Sequence, residues 1–260
     1  MDTIVSIKNL SKSFKSGKKI NNVLKNISLD IKKGKVIGYI GPNGAGKSTT
    51  VKILCGILEG YKGEIEIFGE PVKADSLEIK RRIGYIPENG ALYDTLTPIE
   101  FLSFIATIHD IPTEEALKKI SSFLEFFDMA SHAHQRINTF SKGMKQKILI
   151  ISGLLHSPEL IFMDEPLSGL DANSVILVKE LINRLVWEGK TVFYCSHLMD
   201  VVEKMSDEIV MINDGEIIAQ GECKDLFEQE GVDSLESLFS KLTGNTQQKE
   251  RASKFVESYK

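Results

Sequence analysis

The fold is decided by Gly41-Pro42-Asn43-Gly44-Ala45-Gly46-Lys47-Ser48. This stretch follows a continuous apolar run, Val36 to Ile40, which is typical of a strand buried on both faces. It precedes Val51, Leu54 and Leu58, whose spacing predicts one apolar face of a helix. Two glycines separated by four residues and followed by Lys and Ser, between a strand and a helix, are the pattern of a phosphate-binding loop.

Each residue type in this loop has a chemical reason. Glycines let backbone N–H groups converge on phosphate oxygens, and the N-terminus of the following helix adds its positive dipole end. Lys47 supplies a positive charge and Ser48 an oxygen ligand for Mg2+. The alternative, a plain glycine turn, is disfavoured by the flanking strand and helix. The predicted phosphate-binding residues are therefore Gly41, Pro42, Asn43, Gly44, Ala45, Gly46, Lys47, Ser48 and Thr49.

The rest of the chain predicts the layers around this loop. Strict alternation of apolar and polar residues at Ile27, Leu29 and Ile31, and again around Ile65 and Ile67, indicates half-buried antiparallel strands. Short apolar runs with helical periods between them predict parallel strands, and they lie at Ile83 to Ile86, Leu160 to Met163, Thr191 to Cys195 and Ile209 to Ile212. The predicted class is α/β: a P-loop NTPase core with an N-terminal antiparallel β-subdomain and a helical subdomain.

Two segments depart from the strand-helix alternation. From about 95 to 156 the pattern is helical without strands, which indicates a helical insertion. After Gly221 the chain is again helical, with one apolar side formed by Leu235, Leu238, Phe239 and Leu242. We predict one phosphate-binding domain over 1–221, with the helical subdomain at about 89–157. A C-terminal helical extension is predicted over 222–260, with a polar end that frays from Asn245.

Composition excludes several classes of protein. The 260 residues are 42% hydrophobic and 26% charged, which is typical of a globular chain. A net charge of −4 argues against nucleic acid as a partner. Cys55, Cys195 and Cys223 are too few and too far apart to predict a disulfide framework or a zinc site. No run approaches the roughly 18 apolar residues of a spanning helix, so any membrane role requires a separate membrane partner.

An acidic pair follows one of the buried strands. Asp164 and Glu165 come directly after Leu160 to Met163, at the edge where α/β sheets bind ligands. Asp164 is the candidate metal ligand. Glu165 lies one residue further on and is the candidate acceptor of a proton from an attacking water. The alternative is a solvated strand end, and the phosphate loop favours the functional interpretation.

Three further segments occur in a fixed order: Phe140-Ser141-Lys142-Gly143-Met144, Ser168-Gly169-Leu170-Asp171, and His197 after a strand. With the phosphate loop, they resemble the nucleotide-binding subunits of ATP-binding-cassette (ABC) transporters over roughly residues 3 to 220. The resemblance implies that Ser141 and Gly143 complete the ATP site of the opposite subunit. It also implies that the loop with Asp171 crosses between subunits and that His197 contacts the terminal phosphate. Ser141 and Asp171 equally suit ordinary helix N-caps, and a lone His at a strand end is usually structural.

The sequence departs from the family pattern at several positions. Lys142 and Met144 replace Gly and Gln of the usual Leu-Ser-Gly-Gly-Gln signature. Phe14 stands where the family stacks an aromatic ring, usually Tyr, on adenine, and packing within a strand is the alternative role. Glu88 stands where the family has a Gln near Mg2+ and the attacking water. A carboxylate there adds negative charge, which strengthens metal binding or raises a neighbouring carboxyl pKa.

The resemblance implies an ATPase that uses ATP and Mg2+, with Lys47, Glu165 and His197 as catalytic residues, and that works as a pair of equal or related subunits. Separate membrane-spanning subunits would dock on the helical insertion. There, two alternatives stand for four apolar residues, which either line a docking groove or belong to the core: Leu92, Tyr93, Leu96 and Phe101. The subunit is expected at the cytoplasmic face of the membrane. Similarity to the drug- and peptide-export subfamily favours an exporter; an importer and a soluble non-transport ABC ATPase are the alternatives.

Overall fold

A computed structural model describes residues 2–17, 19–73, 75–244 and 255–259. Ten strands are present in the described part: β1 (Thr3–Ser16), β2 (Lys19–Lys32), β3 (Val36–Ile40), β4 (Lys62–Ile67), β5 (Glu70–Pro71), β6 (Ile83–Ile86), β7 (Leu160–Asp164), β8 (Thr191–Ser196), β9 (Glu208–Asn213) and β10 (Glu216–Gly221). The longer helices are α1 (Lys47–Leu54), α2 (Leu77–Arg81), α3 (Pro98–Ile108), α4 (Thr113–Phe126), α5 (Lys142–Leu154), α6 (Ala172–Trp187), α7 (Met199–Met205), α8 (Cys223–Glu230) and α9 (Leu235–Thr243). This mixed α/β architecture confirms the predicted class.

The N-terminal strands form an antiparallel sheet in the order β2-β1-β4-β5. Its register pairs Ile7 with Leu29 and also with Ile65, so apolar side chains of three strands share one face. Ile27, Leu29 and Ile31 are buried while Ser28 and Asp30 are exposed. The alternating pattern therefore predicted both the antiparallel sheet and its buried face correctly.

A second sheet has the order β10-β9-β3-β8-β7-β6 and is parallel except for the edge strand β10. Every residue of β3, β7 and β8 is buried. One face of this sheet packs against helices only, and the other packs against α1 and the antiparallel sheet. The five predicted apolar runs all lie in its strands. Two separate apolar cores result, one on each face.

The segment between β6 and β7 is helical, as expected. Helix α3 begins with a capping box, in which Thr97 and Glu100 each accept a backbone N–H of the other, and Pro98 occupies its first turn. Helices α4 and α5 pack with α3, and short 3-10 turns at Ala130–His132 and Ile137–Thr139 connect α4 to α5. Among the described residues, no helix is both long and apolar enough to cross a bilayer.

The C-terminal helices pack against the strand-rich part of the chain. Leu235 and Leu238 are fully buried in the same apolar core as Val202 of α7. The carboxylate of Glu203 on α7 accepts the backbone N–H of Leu235, which satisfies one of the free donors at the start of α9. Phe239 and Leu242 pack against this core as well, as their spacing predicted. The polar end from Asn245 lies outside the described residues, apart from a helical segment at 255–259.

One expectation is corrected, and one pair of alternatives is decided. Leu58 does not extend the face of Val51 and Leu54, because α1 ends at Leu54 and Gly56 turns the chain with a φ of 63°. Of the two alternatives for the apolar residues at 92–101, the core interpretation holds for all but one. Phe101 is 5% exposed and belongs to the core, and Leu92 and Leu96 pack against it. Tyr93 alone of that set stays exposed.

Candidate functional site

The strand order brings four loops together at one edge of the parallel sheet. Four neighbouring strands end there, in the order β3-β8-β7-β6. The phosphate loop follows β3, His197 follows β8, Glu165 follows β7 and Glu88 comes shortly after β6. The register places Ile40 beside Ser196, Cys195 beside Asp164, and Met163 beside Ile86, so these strands end at the same level. Side chains distant in sequence therefore meet around one cleft of about 460 Å3.

Most of the predicted site residues line this cleft. They are Asn43, Gly44, Gly46, Lys47, Ser48, Thr49, Glu88, Asp164, Glu165 and His197. Gly41, Pro42 and Ala45 belong to the loop but do not line the cleft. Asn21 and Val23 of β2 also line it, and the sequence analysis missed them. The only signal for them is the pairing of β2 with the strand that carries Phe14, where Asn21 lies opposite Phe14.

The phosphate loop has the shape that its sequence requires. Gly46 has a φ of 111°, which side chains disfavour, and a Cβ there would also lie 2.5 Å from Leu24 Cδ2 and 3.1 Å from the Val23 carbonyl oxygen. Lys47 begins α1 and is buried, and its Nζ donates to the carbonyl oxygens of Gly41 at 2.7 Å and Pro42 at 3.2 Å. The loop thus fixes its lysine at the start of α1, so a positive charge and a helix N-terminus belong to the same site, an arrangement suited to a polyphosphate.

Asp164 is the buried acid at the floor of the cleft, only 3% exposed. Burial raises its pKa above the ordinary value, and the charges of Glu165 and Glu88 add to this; the Ser48 hydroxyl, by hydrogen bonding, and Lys47 oppose it. Its Oδ1 atom is buried and has no hydrogen-bond partner within the described part of the chain. A buried carboxylate oxygen without a partner, beside a serine hydroxyl, fits a divalent cation with oxygen ligands. Ser48 and Asp164 are therefore suited to hold Mg2+.

Glu165 is held at both carboxylate oxygens. Its Oε1 lies 2.7 Å from His197 Nδ1, and its Oε2 lies 3.1 Å from Ser196 Oγ. Its backbone is left-handed, with a φ of 50°. An ionised carboxylate only accepts hydrogen bonds, so His197 Nδ1 carries the proton toward Glu165. This pair places a carboxylate and an imidazole together at the mouth of the phosphate site.

Phe14 lies beside the cleft rather than in its lining. It is 40% exposed on β1, with one strand neighbour, Asn21, that lines the cleft. Lys12 Nζ lies 5.0 Å from the centre of the Phe14 ring and also donates to the Glu59 carbonyl at 2.5 Å. A half-exposed ring with a cation against it remains available for stacking.

The residues predicted to act between subunits do not line the cleft. Ser141, Gly143 and Asp171 lie close together at another place on the subunit. Ser141 caps α5 by accepting the N–H of Met144 at 3.3 Å, and Asp171 caps α6 by accepting that of Ser174 at 3.0 Å. Gly143 packs against the carbonyl of Gly169 in the loop before α6. The N-terminus of α5 and the loop before α6 thus form one surface.

Known proteins are similar to this chain over most of its length. The family model described as ABC transporter matches residues 24–168. The ABC transporter ATP-binding protein NatA of Bacillus subtilis (strain 168) is 35% identical over 242 residues, covering 92% of this chain and 98% of NatA. The linearmycin resistance ATP-binding protein LnrL of the same organism is 38% identical over 232 residues, covering 89% of this chain and 73% of LnrL.

A solved structure of the ATP-binding cassette MJ0796, a dimer in a post-hydrolysis state bound to ADP and Pi, superposes with a TM-score of 0.78. It is 28% identical, and the match covers 84% of this chain and 98% of that one. A phosphate loop with its lysine and an acid at the end of a neighbouring strand are features of P-loop NTPases. The chain therefore belongs to the ABC transporter family, as an ATP-binding subunit that hydrolyses ATP.

Proposed function

We propose that this chain powers a membrane transporter as one of two ATPase subunits that share their ATP sites. Each ATP would lie between the phosphate loop of one subunit and the N-terminus of α5 in the other. This proposal is supported by one observation: the predicted ATP-binding residues lie at two separate places on the subunit. Lys47, Ser48 and Glu165 line one cleft, whereas Ser141 and Gly143 form a separate surface at a helix N-terminus.

In this proposal each side chain has a defined task. Lys47 and the N–H groups at the start of α1 bind the phosphates, and His197 contacts the terminal one. Ser48 and Asp164, with Glu88 nearby, would hold Mg2+, which when bound would offset charge on the phosphate oxygens. Glu165 accepts a proton from the attacking water.

Because Glu165 acts on water and not on the nucleotide, Glu165→Gln should bind MgATP and keep the dimer closed. Gel filtration with ATP and a phosphate-release assay test this, and near-normal turnover would remove Glu165 from the role of base.

Mixing two inactive variants tests the shared site. Lys47→Ala destroys the phosphate loop, and Ser141→Arg blocks the helix that faces the opposite subunit. In a heterodimer of the two variants, one site retains both an intact loop and an intact helix, so activity should reappear. Heterodimers are verified by two affinity tags. Activity equal to the sum of the separate variants would rule out the shared arrangement.

We also propose the place at which a membrane subunit docks. An apolar groove of about 580 Å3 runs between α2, α3 and α5, lined among others by Ile57, Leu77, Ile105, Ile108 and Tyr85. Ile57, Leu77 and Ile108 are more than half exposed, a cluster that favours a protein contact. Ile108→Asp should abolish co-purification with the membrane subunit from detergent. Leu117→Asp, a matched change at an exposed leucine of α4, should not. Equal recovery with both variants would contradict this docking site.

We propose export as the direction of transport, from the cytoplasmic face of the membrane. Support comes from the similarity of Tyr85-Ile86-Pro87-Glu88 and of the α5 signature to the export subfamily, and from the name of LnrL, a resistance protein. Cells that lack this chain should retain more of a loaded fluorescent amphiphile than cells that express it. Lower uptake in the deletion strain would indicate import. No effect on any membrane flux would favour a soluble ABC ATPase.

A further inference from the structure

Ser196 is the last residue of β8 and lies between the acidic pair and the start of α7. It is 1% exposed. Its hydroxyl makes two hydrogen bonds: it accepts the backbone N–H of Leu198 at 3.1 Å, and it lies 3.1 Å from Glu165 Oε2. A hydroxyl has one proton to donate. In the contact with Leu198 the proton comes from the backbone N–H, so the hydroxyl proton is not used there. The proton of Ser196 is therefore directed at the Glu165 carboxylate.

The two partners of Glu165 differ in exposure. The side chain of His197 is 51% exposed, whereas Ser196 is fully buried. A buried hydrogen bond to an ionised group is among the stronger ones, because water does not compete for it. Ser196 is also fixed by the sheet, since Ile40 of β3 is its strand partner. The buried hydroxyl thus holds the carboxylate in one orientation, whether or not the imidazole moves.

We propose that Ser196 is a positioning residue for the catalytic base: it orients Glu165 toward the attacking water without touching the nucleotide. This inference rests on the proposed role of Glu165. A base must lie within about 3 Å of the proton that it removes, so loss of its orientation slows the chemical step. Binding of ATP depends on the phosphate loop instead and is not affected.

The test is Ser196→Ala in the full chain, assembled with its membrane subunits. We expect kcat to fall about 10- to 100-fold, the range for loss of one hydrogen bond to a charged group. The dissociation constant for MgATP should change less than about threefold, and Ser196→Thr, which restores a hydroxyl, should recover most of the activity. A kcat within about twofold of wild type would overturn the proposal.

A matched control separates positioning from folding. Thr191 lies at the other end of β8, is fully buried, and its hydroxyl accepts the N–H of Gly34 at 2.9 Å. Thr191→Val removes a partly buried hydrogen bond at the opposite end of the same strand, at a residue that does not line the cleft. It should lower the melting temperature as Ser196→Ala does but leave kcat unchanged. Equal losses of kcat in the two variants would assign Ser196 a purely structural role.

A double-mutant cycle separates this inference from the proposed function. If Ser196 acts through Glu165, Ser196→Ala should have little further effect on the residual single-turnover rate of Glu165→Gln. The same fold-loss in both backgrounds would overturn the inference. Near-normal turnover of Glu165→Gln by itself would instead overturn the proposed base. An inactive Glu165→Gln beside a fully active Ser196→Ala would leave the base in place and refute only the positioning role.

Discussion

Gly143 faces the carbonyl oxygen of Gly169 so closely that a methyl group added to Gly143 would lie 2.6 Å from it. Lys142 Nζ donates to Ser168 Oγ at 2.8 Å beside this contact. The first turn of α5 and the loop before α6 are therefore joined by packing and by a hydrogen bond. The N–H of Ser168 also donates to the Glu165 carbonyl at 3.1 Å, which connects this surface to the acidic pair of the same subunit.

We expect Gly143→Ala to destabilise the subunit. Alanine in a helix is ordinarily more stable than glycine by about 1 kcal/mol, but here its methyl group overlaps a backbone oxygen that cannot rotate away. Overpacking costs about 1–3 kcal/mol, and each kcal/mol lowers Tm by about 2–4 °C at this chain length. Thermal unfolding of the isolated subunit measures the effect. Ser121→Ala, on the exposed side of α4, should keep or slightly raise Tm; a raised Tm for Gly143→Ala would contradict the contact.

Asp164→Asn should stabilise the subunit measured in EDTA. The folded state raises the pKa of Asp164, chiefly through burial. A carboxyl with a raised pKa costs stability once it ionises, so this cost is present at neutral pH and disappears as the pH falls below its ordinary value of 3.8. The variant should therefore melt higher than wild type at pH 7, with the difference shrinking toward pH 4.

Asp171 provides a control of opposite sign. Hydrogen bonds from the Ser174 hydroxyl and backbone lower its pKa, so its ionised form favours folding, and this contribution is lost as the pH falls. Asp171→Asn should not raise Tm at pH 7. A higher Tm in both variants would point to a general effect of removing negative charge and not to the burial of Asp164.

Glu88→Gln should change how ATPase activity depends on Mg2+ and pH together. The negative charge of Glu88 contributes to the raised pKa of Asp164, so its removal lets Asp164 ionise at lower pH. Protons then compete less with Mg2+ for the Asp164 carboxylate. We expect the half-saturating Mg2+ concentration to rise less between pH 8 and pH 5.5 than in wild type. Glu125→Gln, an exposed change on α4, is the control, and parallel profiles for both variants would make Glu88 a loop residue without influence on the metal.

We expect His156 to make the folding stability of the subunit depend on pH. Burial, with a contribution from His109, whose ring is stacked 3.8 Å away, lowers the pKa of His156 to about 4. A histidine with a lowered pKa contributes stability that is complete above its ordinary pKa of 6.5 and is lost as the pH falls toward 4.

We expect His156→Gln to be less stable than wild type at pH 7 and to approach it at pH 4. With allowance for solvent screening, the difference should shrink by up to about 2 kcal/mol. Urea unfolding across this pH range measures it. His134→Gln, at an exposed histidine, should unfold like wild type. A constant difference between wild type and His156→Gln would contradict the prediction.

Much of the fold could be predicted because buried parallel strands have a distinctive composition. Continuous apolar runs predicted the strands of one sheet, at 36–40, 83–86, 160–163 and 191–195. The phosphate loop after the first of them indicated the edge of that sheet at which ligands bind. Lys47, Ser48 and Asp164 followed from their chemistry. Glu88 and His197 carried no such signal, and only the resemblance to a family drew attention to them.

Other features depend on tertiary packing that periodicity does not encode. Helix α3 is apolar on more than one side, so its sequence could not tell that Phe101 faces the core while Phe104 and Ile108 face solvent. Asn21 and Val23 reach the cleft because of the register between β1 and β2, which is shifted at several points. Ser196 resembles any small residue of a buried strand, and its role appears only when Glu165 is placed beside it.

The left-handed backbone of Glu165 has a consequence for laboratory evolution. A glutamate with a φ of 50° is under strain that glycine or asparagine would not feel, a difference on the order of 1 kcal/mol. Gly or Asn at this position would relieve the strain but would also lose the contacts of the carboxylate with Ser196 and His197, so a selection for thermal tolerance alone sets backbone strain against these hydrogen bonds. A selection for turnover acts on the proposed base instead and would retain glutamate, although the residue best suited to this backbone is a different one.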